Sequence, residues 1–173
     1  LEAIVVVYDP NGGFTYGSGC FVSPPGAIPS SPTATGPVSF GFQSNYYKGA
    51  TYPKGETQFN FETADFEFNA LNFDYLVVDG SFAQFKGSGK IIGDQSGYAF
   101  IMTVIDGDAP NGGGVDKIRM KIYNKNTGEI KYDNMPGAPD SQIPAATVCP
   151  GSTIRITDPV PPTTMAISRQ TEI

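Results

Sequence analysis

Val38-Ser39-Phe40-Gly41-Phe42-Gln43-Ser44-Asn45-Tyr46 sets bulky apolar residues at 38, 40, 42 and 46 against small or polar ones at 39, 41, 43 and 45. An extended backbone turns successive side chains to opposite faces, so this stretch reads as a strand with one face in a core and the other in water. The pattern recurs on both sides of it. Phe59 and Phe61 in residues 58–62, and Phe66 and Phe68 in residues 66–70, are core candidates. In residues 117–123, Ile118, Met120 and Ile122 point inward, and Lys117, Arg119 and Lys121 point outward. Residues 98–105 are apolar at both parities, which predicts a central strand covered on both faces.

Glycine and proline cut the chain between these runs. Asp79-Gly80 joins residues 75–78 to 82–86 as a hairpin. Residues 14–22 form a strand in which Gly17 and Gly19 mark a bulge or a close backbone approach. Residues 23–37 read as a loop, 88–92 as a strand, 93–97 as a turn and 129–132 as a short strand. Residues 135–147 are proline-rich and irregular, and 152–157 form a last strand. No helical period of useful length and no internal repeat occurs. The expectation is an all-β chain, a β-sandwich of Ig-like or jelly-roll-like form with long Pro/Gly-rich loops. One domain is expected over residues 1–157, with 158–173 a proline-rich linker and tail. The apolar run at residues 3–8 ends in a sharp turn at Asp9-Pro10-Asn11-Gly12-Gly13, so 1–8 is a strand open to sharing with a neighbouring domain or subunit.

Composition narrows the function. Of 173 residues, 21 are Gly and 15 Pro, and there is no His and no Trp. Without histidine, a Ser-His-Asp or Cys-His arrangement is impossible. Charged residues make up 16%, below the roughly 25% of average domains, so the surface is largely small and polar. The net charge of −6 repels phosphate backbones and anionic membrane surfaces. No run of 18 apolar residues occurs, so no membrane insertion is expected. The first residues lack the basic start of a signal peptide, which suits a mature or excised chain. The two cysteines, Cys20 and Cys149, form either one disulfide closing a very long loop or two buried free thiols. The β-rich, low-charge composition favours the disulfide and a secreted or cell-surface location.

Several blocks resemble the bacterial extracellular post-COAP-1 domain, a β-rich unit that follows Ig-like, PKD or hyalin-type repeats in surface proteins. They are Val6-Val7-Tyr8-Asp9-Pro10-Asn11-Gly12-Gly13-Phe14, Gly17-Ser18-Gly19 and Ser23-Pro24-Pro25-Gly26-Ala27, then Tyr75-Leu76-Val77-Val78 and Phe85-Lys86-Gly87-Ser88-Gly89. Asp106-Gly107, Asp116-Lys117-Ile118-Arg119-Met120-Lys121-Ile122 and Tyr132-Asp133-Asn134 complete the set, which spans most of residues 4–134. Where that family places a Trp after its glycine run, this chain has Cys20, which implies a disulfide in place of aromatic packing. The resemblance implies a role in a surface assembly and carries no catalytic residues.

Two constellations could hold a ligand. Asp106, Asp108, Asn111 and Asp116 lie in a glycine-rich loop, and carboxylates two apart can converge on Ca²⁺. The same residue types also build a solvated turn without any ion. Tyr46, Tyr47 and Tyr52 gather near a proline-rich loop, where flat rings can stack on sugars with Asn45 and Gln43 as hydrogen-bond partners. Ordinary packing with the hydroxyl at the rim is the other reading. The function expected is therefore a non-catalytic structural or adhesive module of a bacterial surface assembly, polymerising through strand pairing with identical subunits or neighbouring β-domains. The alternative is a carbohydrate-binding accessory module of a secreted polysaccharide-degrading enzyme.

Overall fold

The computed structural model of the chain describes residues 13–47 and 49–158. Its strands are β1 (Phe14–Ser23), β2 (Gly36–Asn45), β3 (Lys54–Phe61), β4 (Phe66–Asp79), β5 (Phe82–Ile91), β6 (Tyr98–Ile105), β7 (Lys117–Asn124), β8 (Ile130–Asp133), β9 (Ala146–Thr147) and β10 (Thr153–Thr157). One 3₁₀ turn, Glu62–Ala64, separates β3 from β4. The all-β expectation holds. The strand expected over 3–8, Lys48 and the tail beyond 158 lie outside the described residues.

All the strands belong to one antiparallel sheet, and β1 to β8 follow one another in sequence order. Each neighbouring pair is therefore a hairpin or a short-looped connection, which is what punctuation every ten residues or so should give. At the β4–β5 hairpin, Asp79 pairs with Phe82 and Gly80 sits at φ 58°, a left-handed conformation that glycine adopts without strain. β4 joins two runs, 66–70 and 75–78, that the sequence pattern separates. Register shifts between Ala70 and Asn72 and between Phe73 and Tyr75 let it continue through two bulges.

The inner face of this sheet packs on itself. Phe42 of β2 meets Phe85 of β5 at 5.4 Å between ring centroids, and Phe59 of β3 meets Tyr132 of β8 at 4.6 Å. Neither pair is on adjacent strands, so the rings touch across the interior. Glycines seat several rings. A Cβ on Gly17 would lie 2.8 Å from the Phe42 ring, and one on Gly87 would lie 2.9 Å from the Phe100 ring.

The stretch 146–157 closes the sheet like a stave. On one side, β9 pairs with β7 at Lys117 and Ile118. On the other, Val148 bridges Phe21, Cys149 N–H donates to the Cys20 carbonyl, and β10 pairs with β1 from Phe14 to Ser18. The Cys20–Cys149 disulfide, 129 residues apart in sequence, locks stave to β1. At the other end of the seam, Asp133 N–H donates to the Ala27 carbonyl and the Tyr132 hydroxyl to Ser23 Oγ. The side-chain amide of Asn134 continues the ladder on β7, accepting from Met120 N–H and donating to the Ile118 carbonyl.

β6 is buried at every position, as its apolar run predicts. Tyr98, Phe100, Met102 and Val104 face the core, and on the other parity a strap of residues 134–143 is tied over the row of Gln84, Thr103 and Arg119. That strap crosses from β7 to β5. Arg119 donates to the carbonyls of Met135, Ala138 and Pro139, and Gln84 donates to that of Asp140. Arg119, expected to face solvent, points away from the core yet is only 2% exposed because the strap covers it. Its guanidinium forms a bidentate pair with Asp133, Nε to Oδ1 at 3.1 Å and Nη2 to Oδ2 at 2.9 Å. Tyr75, beside the strap, has its phenol pushed up to about 12, first by burial and then by the Asp140 carboxylate.

Candidate functional site

The acidic loop between β6 and β7 places its four candidate ligands in different roles. Asp106 is buried, and its Oδ1 accepts from Asp108 N–H and Ala109 N–H, the geometry of an Asx turn. Its Oδ2 accepts from Ile156 N–H on β10 at 3.0 Å. Asp116 accepts from Gly107 N–H at 2.7 Å and from Ile154 N–H at 2.7 Å. Asp108 is exposed and pairs with Arg155 at 2.7 Å. Asn111 is exposed at φ 65°, forming the turn.

The carboxylates of buried Asp106 and half-buried Asp116 thus stand in for a missing strand. β9 reaches β7 by backbone pairing, but further along the stave β7 has diverged. There Ile154 and Ile156 turn their N–H groups away from β1 and toward Asp116 and Asp106. An exposed strand edge carries unpaired N–H groups that template further pairing, and these two are capped instead. A cation drawing on Asp106 and Asp116 would compete with five backbone N–H groups. Among the described residues, no three His, Cys, Asp or Glu side chains are grouped to hold a metal ion. Asp116→Ala leaves two N–H groups without their acceptor, and hydrogen bonds to a charged partner contribute roughly 1.5–3 kcal/mol each. Because Asp116 is only half-buried, water makes up part of this, and the expected loss of stability is about 2–3 kcal/mol, read from the shift of a urea midpoint. A loss below about 0.5 kcal/mol would mean that water replaces the clamp at no cost.

The three tyrosines fall in three settings. Tyr46 is half-buried against the core, and its hydroxyl accepts from Leu76 N–H at 3.2 Å. Tyr47 is 56% exposed, with Lys54 Nζ 5.8 Å from its ring centroid. Tyr52 is 65% exposed and lines a separate depression with Leu71, beside the first β4 bulge.

The outer face of β1–β4 carries a feature that the sequence pattern does not announce. Phe14 and Tyr16 lie on the outer face of β1, stacked at 5.8 Å with only 9° between their planes, and are 40% and 45% exposed. Tyr47 lines a depression with them, next to Gln43 and Asn45. A second depression shares Tyr16 and Gln43 with the first, and a third shares Gly41 and Gln58 with the second. The three form one shallow groove of about 340, 410 and 280 Å³ in turn. Strand register explains its composition, since Tyr16, Gln43 and Glu56 are directly opposite one another, as are Ser18, Gly41, Gln58 and Asn69. Once Phe21 is seen to be fully buried, parity puts Phe14 and Tyr16 on the opposite face of β1.

Compared with family models, curated proteins and solved structures, the chain matches none.

Proposed function

We propose that the chain is a non-catalytic structural or adhesive module of an extracellular bacterial surface assembly. The observation that carries this reading is the disulfide across the seam. Such a bond persists in oxidising compartments, and here it locks a closed sheet rather than shaping a cleft. The resemblance to the post-COAP-1 unit points the same way. Among the described residues, no helix is long and apolar enough to cross a membrane.

Assembly would proceed by strand pairing through residues 1–8, which precede the Asp9-Pro10-Asn11-Gly12-Gly13 sequence before β1. The carboxylate caps on β10 leave Ile154 and Ile156 N–H unable to accept another strand without breaking a hydrogen bond, so pairing is directed to the N-terminal run. Deleting residues 1–8 is expected to abolish assembly, read by electron microscopy with mass determination on the native chain. An assembly state unchanged by the deletion would sink this mode.

A second reading, carbohydrate binding, is favoured by the exposed Phe14–Tyr16 stack beside Tyr47. Flat rings beside amide side chains suit sugars, which present a C–H face and hydroxyls around its rim.

A further inference from the structure

We propose that the outer face of β1–β4 binds a neutral polysaccharide chain along a groove floored by Gly41. The proposal rests on the carbohydrate-binding reading and adds a site, a ligand charge and a residue that creates the space.

Gly41 is the starting point because the fold does not require it. Other strand glycines are explained by crowding. A Cβ on Gly55 would lie 2.0 Å from the Gln43 carbonyl oxygen, and one on Gly87 would lie 2.0 Å from that of Asn72. At Gly41 nothing lies within 4 Å of a built Cβ, and its φ is not positive. Among the described residues it is the strand glycine with both properties. Glycine inside a strand weakens it, since it brings the largest backbone entropy loss and no side chain to pack. A position that accepts this cost without steric need is one where something outside the chain approaches the backbone.

The surroundings define that approach. Gly41 lies between Ser18 on β1 and Gln58 on β3, and Gln58 leads on to Asn69 on β4. Amides and hydroxyls both donate and accept, which matches the alternating demands of sugar hydroxyls. The Phe14–Tyr16 stack at one end offers a flat apolar platform at low entropic cost. Among the described residues, no exposed aliphatic side chain lines the groove, so it lacks the buried anchor that a protein interface centres on. The charged side chains that line it, among the described residues, are Glu56 and Glu67, with Lys54 set over Tyr47 at one end, so along its length it repels uronate, sulfate and phosphate polymers. What remains is an uncharged glycan.

The test is affinity electrophoresis of the full chain through native gels containing hydroxyethyl cellulose, arabinoxylan, galactomannan or amylopectin, with polygalacturonate as the anionic comparison. The wild type is expected to be retarded by at least one neutral polysaccharide. Gly41→Ile fills the floor with a strand-favouring side chain, so it should weaken retardation at least tenfold with the melting temperature unchanged or raised. Gln58→Ala and, at its neighbour in the groove lining, Asn60→Ala serve if that variant fails to fold, and each should weaken retardation severalfold. Retardation that survives Gly41→Ile intact would move glycan binding to another surface and overturn the groove. Retardation by polygalacturonate alone would overturn the charge argument. No retardation in any gel would overturn glycan binding itself, and would leave the assembly reading to the truncation of residues 1–8.

Discussion

Breaking the Cys20–Cys149 bond, by reductant or by the paired change Cys20→Ser and Cys149→Ser, should lower the melting temperature by about 10–15 °C. The bond closes a loop of 129 residues, and a cross-link of that span removes about 4–5 kcal/mol of chain entropy from the unfolded state. For a chain of this length, 1 kcal/mol corresponds to roughly 2–4 °C. The position adds to the effect. Cys149 sits between the Val148 bridge and β10, so the bond holds the stave where its pairing to β1 changes from one segment to the next. Calorimetry with and without reductant reads the shift directly, and the serine pair controls for chemical effects of the reductant. A shift under about 3 °C would show that the β1–β10 ladder, with the Asp106 and Asp116 hydrogen bonds, holds the stave without the bond.

Arg119→Ala should be about as damaging, at roughly 3–5 kcal/mol, because it leaves the Asp133 carboxylate buried without its cation. The loss is compounded by three strap carbonyls that the guanidinium now satisfies. The strap should consequently become the first site of limited proteolysis in this variant. Changing both partners, Arg119→Met with Asp133→Asn, should cost less than the sum of the single changes, since neither variant group is a buried unpaired charge. Urea unfolding of the four proteins gives the coupling. A cost below about 1 kcal/mol for Arg119→Ala would mean that water enters beneath the strap and replaces the guanidinium.

Much of the fold was legible because it is local. The alternation around Phe40 and Phe42 is β2, the two-faced apolar run is β6, and Asp79-Gly80 turns between β4 and β5. What escaped the pattern depends on pairing between distant segments. β4 reads as two strands because bulges at Leu71 and Asp74 reset the alternation without ending the ladder. Arg119 has the right parity for solvent, and only a covering strap 14–20 residues onward removes it from water. In β1 both faces carry aromatics, so parity stays open until Phe21 is known to meet Phe40 and Phe59. The carboxylates of the β6–β7 loop were visible as a cluster. Their partners Ile154 and Ile156 lie some forty to fifty residues away, so their use as acceptors for a strand edge was not.

The order in which the chain is synthesised gives the stave a further meaning. β1 to β8 can pair with their neighbours as each emerges, since each strand's ladder is with the one before it in the chain. The far edge of β1 has no partner until residues 146–157 leave the ribosome, after β1 to β8. Until then the growing chain is an open sheet with a bare edge, the kind that joins to other chains. The Cys20 and Cys149 thiols can be joined by an oxidant of the compartment only once that edge is covered or nearly so, which makes the disulfide a mark of a closed sheet as well as a brace. Chains stalled before Cys149 should thus be the aggregating population, however complete their core.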